Sequence, residues 1–369
     1  MPMQSSVQNE INQGPVIVAF LGTQALGDYL GYHMVAGSIA RALPGSRLAV
    51  IYRDDRPYKS FINRLNPYME TALSLPGNSD DPMPLDWFDG KENVAGRPFG
   101  SSWYENGFHR PDLFLTASSL GPNVAASIGP PPIFRIPDDS VAPLAQALKS
   151  SGVDENRWFA CLHMRENLYH WRRNIDLERI VGPLTYMPMI EHIIHEQGGQ
   201  VVRVGDPTMT PLPPMDGLID LSADPKSFPV EVFAASRARY YIGSESGPVG
   251  FACAFKVPAA MTNCMSIGLW NDGDVVLTRR NIRVPGKFEL TGRQAAEIYD
   301  GMASWFVDAE MDANTPAELI AVAAHMHGAT ADCEGWRGDP PLDTVAPAGS
   351  VTFPLARRNR TTDYNFVWM

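Results

Sequence analysis

The sequence predicts an α/β protein with two successive halves, each built on a parallel sheet covered by helices. Apolar runs of strand length alternate with amphipathic segments of helix length, which is typical of parallel sheets with right-handed crossovers. The 369 residues are enough for about two domains. The chain also contains 32 prolines and 31 glycines, more than average usage, which favours many short elements joined by loops.

The first half opens with a strand followed by a helix. Residues 15–22 form a continuous apolar run, as expected for a strand that is covered on both faces. A helix is predicted over 29–43, because apolar residues recur at helical spacing until Pro44 and Gly45. The remaining predicted elements of this half are a strand (47–52), a helix (58–69), a long irregular loop (74–111) and a strand (113–116).

The second half repeats this alternation after a proline-rich linker at 129–137. Its predicted elements are, in order, a helix (140–150), a strand (158–163), a helix (185–196), strands (200–204 and 217–221), a helix (230–237), a strand (239–242), a helix (247–255), and later helices (291–306 and 315–327). The final 40 residues of the chain are predicted to be mostly irregular.

Composition and charge exclude several classes of protein. The formal net charge of −11 argues against a nucleic-acid partner, whose phosphates this surface would repel. The four cysteines show no C-x-x-C spacing, so neither a zinc site nor a disulfide framework is predicted. Because residues 1–14 lack the pattern of a signal peptide and no apolar run reaches the length of a membrane helix, we expect a cytoplasmic protein without a membrane span.

The strongest local signal follows the strand at 158–163. The segment 161–174 carries His163, Arg165, Glu166, Asn167 and Arg173. In an open parallel sheet, ligands bind outside the carboxyl ends of the strands, and the planar fork of an arginine suits phosphate. The alternative interpretations are an Arg165–Glu166 pair that fixes a turn, and a histidine that is simply packed in the core.

Two further strand ends carry polar turns. Ser244-Glu245-Ser246-Gly247 ends one strand and opens a helix, where exposed amide groups and hydroxyl donors can bind an anion. Ordinary capping by Ser246 is the alternative interpretation. The segment Arg203-Val-Gly205-Asp206-Pro207 is a weaker candidate, because its composition also suits a plain turn.

In the first half, Gly22-Thr-Gln-Ala-Leu-Gly27-Asp28 joins the first strand to its helix. Asp28 is predicted to cap that helix, and a carboxylate there can also accept a proton from an acceptor hydroxyl. The glycines are five residues apart and no Lys-Ser/Thr pair follows, so neither a dinucleotide fingerprint nor a phosphate loop is present. Because no H-E-x-x-H, C-x-x-C or Asp-x-Asp motif stands at a suitable place, we expect no metal and no cofactor.

Three of these segments, 161–174, 198–207 and 241–248, resemble in order and spacing a bacterial family of glycosyltransferases. That family is distantly similar to the α-1,6-fucosyltransferases and protein O-fucosyltransferases, whose His-x-Arg segment corresponds to His163-Met164-Arg165. The resemblance covers residues 158–262 best. It implies a GT-B fold, with two Rossmann-like domains facing a cleft and a sugar nucleotide on the C-terminal one. The turn at 25–28 also resembles the Gly-Asp segment of the heptosyltransferases, where the acid is the base.

The resemblance implies that Arg165 contacts the donor diphosphate, that His163 shapes the same pocket, that Ser246 and Gly247 lie at a phosphate-facing helix start, and that Asp28 is the base. Together with the polar strand ends, this predicts donor binding by His163, Arg165, Asn167, Arg173, Gly205, Asp206, Ser244, Glu245, Ser246 and Gly247. Catalysis is assigned to Asp28, Arg165 and Glu166, with Glu245 or Glu166 as the alternative base. Acceptor binding is predicted for Gly27, Trp87 and Trp103, because aromatic faces suit sugar or ring acceptors. Glu166 stands where fucosyltransferases often carry a second arginine, so GDP-fucose is not implied as the donor.

The sequence thus predicts a metal-independent, inverting glycosyltransferase that uses a nucleotide-sugar donor and a small-molecule or glycan acceptor. A GT-B-like nucleotide-sugar epimerase and a non-catalytic nucleotide- or sugar-binding module are the alternatives. A monomer or homodimer is expected. The predicted domains are a disordered tail (1–14), an N-terminal acceptor-side domain (15–137), a C-terminal nucleotide-sugar domain (138–310), and a C-terminal helix with an irregular tail (311–369) that can pack back on the N-terminal domain.

Overall fold

A computed structural model gives the fold of the chain. It describes residues 14–79, 81, 111–116, 120, 132–166, 180–224, 226–264, 274–284, 286, 288–291 and 310–338. These residues divide into two compact units, one formed by the described residues up to 135 and the other by those from 136 onward.

The first unit is built on a parallel sheet of four strands in the order β3-β2-β1-β4. Every residue of β1 is buried, which explains its continuous apolar sequence. The elements of this unit are β1 (Val16–Leu21), α1 (Leu26–Ala42), β2 (Arg47–Arg53), α2 (Tyr58–Asn63), β3 (Met69–Leu75) and β4 (Leu113–Leu115).

The second helix of this unit is shorter than predicted. It ends at Asn63 instead of running to Met69, and Met69–Leu75 is strand β3. Pro67 supplies no backbone amide, which disfavours a helix through this point. The Asn66 side chain instead accepts a hydrogen bond from the amide of Tyr68, which fixes the turn into β3.

The second unit contains a parallel sheet of six strands in the order β7-β6-β5-β8-β9-β10. Its elements are α3 (Asp138–Ser150), β5 (Phe159–His163), a 3₁₀ turn (Pro183–Tyr186), α4 (Met187–Glu191) with a π-helical turn (His192–Glu196), β6 (Gln200–Arg203), β7 (Leu218–Asp220), α5 (Phe228–Arg237), β8 (Tyr240–Ser244), α6 (Val249–Ala254), β9 (Ala259–Cys264) and β10 (Val275–Thr278).

This strand order is that of a dinucleotide-binding Rossmann sheet. Numbered along the sheet's own chain order, it reads 3-2-1-4-5-6, and the order reverses between β5 and β8. In such sheets the crevice at this switch point, beyond the carboxyl ends of the strands, is where ligands bind. The first unit has the same start, 3-2-1-4, with its switch point between β1 and β4.

A small antiparallel sheet and a C-terminal helix complete the second unit. The sheet consists of β11 (Asn281–Val284), β12 (Phe288–Thr291) and β13 (Glu310–Met311), in the order β12-β11-β13, and the sequence did not predict it. The helix α7 (Pro316–Ala329) begins with a capping box between Thr315 and Glu318. The helix predicted over 291–306 falls outside the described residues, except for Thr291 in β12.

Helix α7 packs in the core of the second unit. Its buried side chains belong to the same cluster as those of β5, β6, β8 and the helical segment at 187–194. The helix of the predicted C-terminal segment (311–369) therefore contributes to the core of the second unit. That this segment also packs back on the N-terminal domain stays a prediction.

All four cysteines are free thiols, and three of them are buried in the second unit. Burial raises the pKa of Cys161 and Cys253, so these two are uncharged packing residues. Within the described part of the chain, no helix is long and apolar enough to cross a membrane.

Candidate functional site

Strands β5 and β8 bring two predicted segments together at the switch point of the second sheet. His163, the last residue of β5, forms a 3.0 Å hydrogen bond through Nε2 with the hydroxyl of Ser246, which follows β8. The amide of Arg165 donates to the hydroxyl of Ser244 over 2.7 Å. Residues about 80 positions apart in sequence therefore meet at the place where this type of sheet binds ligands.

The close approach of β5 and β8 depends on Gly243. A Cβ atom at this position would lie 2.1 Å from the carbonyl oxygen of His163. Because that neighbour is backbone, no side-chain movement can make room. The glycine thus sets the distance across which the His163 and Ser246 side chains meet.

His163 is a neutral histidine. Its ring is buried, and its Nδ1 lies 3.0 Å from the carbonyl oxygen of Val204. Burial lowers the pKa of His163 to about 4; the hydrogen bond to Val204 opposes this shift, and the positive charges of Arg203 and Arg165 act in the same direction as burial. At neutral pH the imidazole therefore carries one proton.

Arg165 is a cation of the predicted set that follows β5 by two residues. Its backbone is fixed on both sides, since its amide donates to Ser244 and its carbonyl accepts from the amide of Val181 over 3.0 Å. The side chain is largely buried, with 7% of the residue exposed, and its charge acts on His163. This arrangement holds an arginine with little freedom beside the strand ends.

Glu166 points into a buried ion-pair network. One carboxylate oxygen accepts from Nη2 of Arg203 over 2.7 Å, and the other accepts from the amide of Thr210 over 2.9 Å. Arg203 in turn donates through Nη1 to the Asp220 carboxylate and to the Thr210 carbonyl, each over 2.8 Å. Both oxygens of Glu166 are engaged, so its carboxylate braces the loops after β5 and β6.

A carboxyl that the sequence analysis did not single out lies at the next strand end. Glu231, on α5, accepts a 3.1 Å hydrogen bond from the amide of Gly205 and a hydrogen bond from the Ser227 hydroxyl. Burial raises the pKa of Glu231 to about 7, and the negative charges of Asp220 and Asp206 act in the same direction. The sequence signal is the i, i+4 pair Ser227 and Glu231, which reads as an ordinary helix start.

Asp206 and the 244–247 turn are less specialised than predicted. The Asp206 carboxylate accepts from the amide and hydroxyl of Thr208, which is a turn-forming contact. Helix α6 has six residues, and the amides of Val249 and Gly250 donate back to the carbonyls of Ser246 and Gly247. The anion site predicted at this helix start therefore has fewer available amides than a long helix offers.

In the first unit, Asp28 lies in the first turn of α1 and is exposed. The N-cap of this helix is Ala25, so the prediction that Asp28 caps it is wrong. Gly27 is the second residue of the same helix. Both stand after β1, next to the switch point between β1 and β4 of their own sheet.

The first unit also holds a buried lysine that the sequence analysis missed. Nζ of Lys59 lies 2.6 Å from the Asp55 carboxylate and donates to the Arg53 carbonyl and the Ser79 hydroxyl. Asp55 also accepts from the amide of Ser79 over 2.8 Å. These contacts tie the end of β2 to the loop after β3 and use all three ammonium protons, so we assign the cluster a structural role.

Four residues of the predicted site, Asn167, Arg173, Trp87 and Trp103, lie outside the described residues. Their assignments to donor and acceptor binding stay predictions. The described part of the chain contains no group of three or more His, Cys, Asp or Glu side chains arranged to hold a metal ion.

Solved structures to which the chain is similar include glycosyltransferases. A family 9 glycosyl transferase from Veillonella parvula DSM 2008 superposes with a TM-score of 0.54 and 12% identity, over 86% of this chain and 98% of that one. The Escherichia coli ADP-heptose LPS heptosyltransferase II gives a TM-score of 0.45 and 11% identity, over 79% and 99%. No protein-family model matches the chain, and no curated protein matches it in sequence.

The first of these likenesses shows the fold. Together with the two parallel sheets, it confirms the prediction of a GT-B fold with two Rossmann-like domains. At 12% identity it does not transfer a substrate or a residue role. The resemblance to the fucosyltransferases stays a prediction.

The prediction of no metal and no cofactor is contradicted by one similar structure. The glycosyltransferase TibC from enterotoxigenic E. coli, which matches with a TM-score of 0.46 and 14% identity over 86% of this chain and 77% of that one, is iron-containing and dodecameric.

Proposed function

We propose that the protein is a glycosyltransferase that binds a nucleotide-sugar at the switch point of the second sheet and transfers the sugar to a small-molecule or glycan acceptor. The observation that carries the proposal is the meeting of His163, Arg165, Ser244 and Ser246 at the carboxyl ends of β5 and β8. In a Rossmann sheet this is the crevice used by nucleotides. The GT-B fold supports the same function.

Arg165 is proposed to stabilise the departing nucleoside diphosphate. As the bond to the sugar breaks, negative charge grows on the diphosphate, and a cation held in place beforehand lowers the energy of that state without reorganising. The fixed backbone and restricted side chain of Arg165 meet this requirement. Its guanidinium can bind two phosphate oxygens at once.

Donor binding is further proposed for the neighbouring predicted residues Asn167, Arg173, Gly205, Asp206, Glu245 and Gly247. Gly205 and Asp206 stand after β6, beside the same crevice. The acceptor residues Gly27, Trp87 and Trp103 likewise remain proposals.

The base is proposed to be Asp28. Glu166 is unsuitable because both of its oxygens are engaged by Arg203 and Thr210. Asp28 is exposed and able to exchange protons with solvent. Removal of the acceptor proton by a carboxylate, with direct attack on the anomeric carbon, gives inversion of configuration.

A thermal-shift panel of UDP, GDP, dTDP, CDP and ADP tests the nucleotide assignment, because a ligand that binds the native state raises its Tm. We expect one of the five to give the largest shift. The sugar nucleotides of that base are then incubated with and without candidate acceptors, and the products are identified. Conversion of the donor alone to an isomer would instead indicate an epimerase, and binding without turnover would indicate a binding module.

Asp28→Asn tests the base. A positioned general base contributes about a hundred- to ten-thousandfold to the rate, so kcat is expected to fall by at least about a hundredfold while the thermal shift with nucleotide is unchanged. Near-normal kcat in the folded variant would remove Asp28 from the mechanism.

A further inference from the structure

A continuous chain of hydrogen bonds runs from Ser246 to Glu231 across three strand ends. The Ser246 hydroxyl is 3.0 Å from Nε2 of His163, and Nδ1 of the same ring is 3.0 Å from the carbonyl oxygen of Val204. The amide of Gly205 lies 3.1 Å from the Glu231 carboxylate. The Val204 carbonyl and the Gly205 amide belong to the same peptide group, so these contacts form one chain, which we call the Ser246–Glu231 relay.

The direction of each hydrogen bond in the relay is fixed by its chemistry. A carbonyl oxygen only accepts, so the proton of the imidazole is on Nδ1 and donates to Val204. Nε2 then has a lone pair and accepts, which makes the Ser246 hydroxyl the donor. The nearby Arg203 and Arg165 oppose a second proton on the His163 ring, so this direction does not reverse at neutral pH.

The far end of the relay reinforces this direction. The Gly205 amide only donates, and its acceptor is the buried carboxyl of Glu231, whose second oxygen is held by Ser227. A carboxylate that accepts from one end of a peptide group polarises the carbonyl at the other end and strengthens its hydrogen bond. Gly205 has φ +155, and a Cβ there would lie 2.3 Å from Sδ of Met209, so the turn that positions this peptide group requires glycine.

We propose that the relay makes Ser246 a dedicated hydrogen-bond acceptor, whose ligand partner is a hydroxyl group of the sugar nucleotide and not a phosphate oxygen. The inference rests on the proposed function and deepens it. The Ser246 side chain is partly exposed at the crevice, and its only proton points to His163. A phosphate oxygen would meet the lone pairs of Ser246, whereas a hydroxyl can donate to them.

This assignment revises the prediction that Ser246 is a hydroxyl donor at a phosphate-binding helix start. It also separates the Ser246–His163 pair from a nucleophile and its base. A histidine whose pKa is about 4 takes a proton from a serine poorly at neutral pH. Ser246 thus accepts a hydrogen bond from the ligand. His163 and Glu231 are positioning residues that fix the direction of the Ser246 hydroxyl.

The first experiment determines the protonation state and tautomer of His163 in the protein without ligand. In protein labelled with ¹⁵N-histidine, the ring nitrogens of His163 are assigned by comparison with a His163→Asn variant and followed from pH 6 to 8. We expect a neutral ring protonated on Nδ1 throughout. A proton on Nε2, or a ring that becomes doubly protonated in this range, would overturn the proposal.

Glu231→Gln extends this experiment. At pH 8, where the Glu231 carboxyl with its pKa of about 7 is mostly ionised, the variant keeps an acceptor oxygen for the Gly205 amide and removes the negative charge, so the Nδ1 signal of His163 is expected to shift while the tautomer stays the same. A purely structural glutamate would not move that signal, and an unchanged signal would remove Glu231 from the relay.

The second experiment measures the affinity of Ser246→Ala by calorimetry for inorganic pyrophosphate, a nucleoside diphosphate, its 2′- and 3′-deoxy forms, and the corresponding sugar nucleotide. One lost hydrogen bond is expected to weaken binding roughly two- to twelvefold. The loss should spare pyrophosphate. Ser246→Thr, which keeps the hydroxyl, is the control and should retain the affinity for each ligand.

The ligands distinguish the two possible sources of the hydroxyl. A loss seen with the nucleoside diphosphate that vanishes with one deoxy form assigns the hydroxyl to the ribose, and a loss confined to the sugar nucleotide assigns it to the transferred sugar. An equal loss for pyrophosphate, or no loss with any ligand, would overturn the proposal. If no nucleotide binds the wild type, both the proposed function and the ligand assignment fail, and the histidine spectra alone decide whether the relay exists.

Discussion

Replacing Glu231 with glutamine tests the electrostatics of the second unit. The carboxyl is 9% exposed, and burial raises its pKa to about 7 from an ordinary value of 4.5. The unfolded chain releases this proton at lower pH than the native protein does. The native state therefore binds more protons between these two pKa values, and stability from this group falls as the pH rises through that window.

The size of the effect follows from the two pKa values. Each unit of difference corresponds to about 1.4 kcal/mol, and integrating between pH 5 and pH 8 gives a loss of about 2–3 kcal/mol. Stability from Glu231 is highest below pH 4.5, and it is lost as the pH rises through about 7. Glutamine has no charge to bury, so the variant lacks this component.

Urea unfolding of the wild type and Glu231→Gln at pH 5 and pH 8 measures the difference. The free energy of unfolding of the wild type relative to the variant should fall by about 2–3 kcal/mol between pH 5 and pH 8. Glu196→Gln, which changes an exposed glutamate, is the control for the loss of one carboxyl group. A difference between wild type and Glu231→Gln that is constant with pH, or that changes with the opposite sign, would refute the reasoning.

The other predictions concern the packing around the site. Glu166→Ala leaves the charge of Arg203 buried without that partner, so we expect a loss of about 3–5 kcal/mol in unfolding free energy; a loss below about 1 kcal/mol would contradict a bracing role. Gly243→Ala forces a Cβ against the His163 backbone and is expected to cost at least about 1–3 kcal/mol, measured as a lower Tm. Gly31→Ala, in an open position of α1, is its control and should stabilise by about 0.5–1 kcal/mol. Equal effects of the two glycine substitutions would show that the β5–β8 distance does not depend on Gly243.

The central strands of both parallel sheets could be predicted from the sequence, because such strands are buried on both faces and are therefore continuously apolar. The run that became β1 has no polar residue, and the run that became β5 has only His163 at its end, so their length and position are fixed locally. Strand β3 was missed because it is only partly buried along its length, and its mixed sequence, Met69–Leu75, continues the pattern of the preceding helix. In the three-stranded antiparallel sheet, β13 was missed because it has only two residues and pairs with β11 far along the chain, Ile282 with Met311 and Arg283 with Glu310.

The candidate site was predicted in part. Polar residues after strand ends are visible in the sequence, and they led to His163, Arg165 and Ser246. Their partners are not visible, because Ser246 is 83 positions from His163 and Glu231 is 26 positions from Gly205. Glu231 looks like an acidic residue in the first turn of a helix, which is common on surfaces, and only the tertiary contact with the Gly205 turn shows that it is buried.

The same limit explains the roles that changed. Asp28 and Glu166 have the chemistry of a base, but the sequence does not show which carboxylate is already engaged. Glu166 is held by Arg203 at a distance of 37 positions, a pairing that no local pattern predicts. Asp28 is exposed in the first turn of α1 and keeps the proposed role.

Binding of a nucleoside diphosphate at Arg165 of the second unit is tested most directly by isothermal titration calorimetry. The ligand is the nucleotide with the largest thermal shift, titrated into wild type, Arg165→Ala and Arg157→Ala. Arg157 is the matched control, because it contacts the carbonyls of Gly198 and Gly199 before β5 and β6, at the amino ends of these strands. We predict that Arg165→Ala binds about ten- to a hundredfold more weakly and that Arg157→Ala binds like wild type. Unchanged affinity in a folded Arg165→Ala variant would contradict the account.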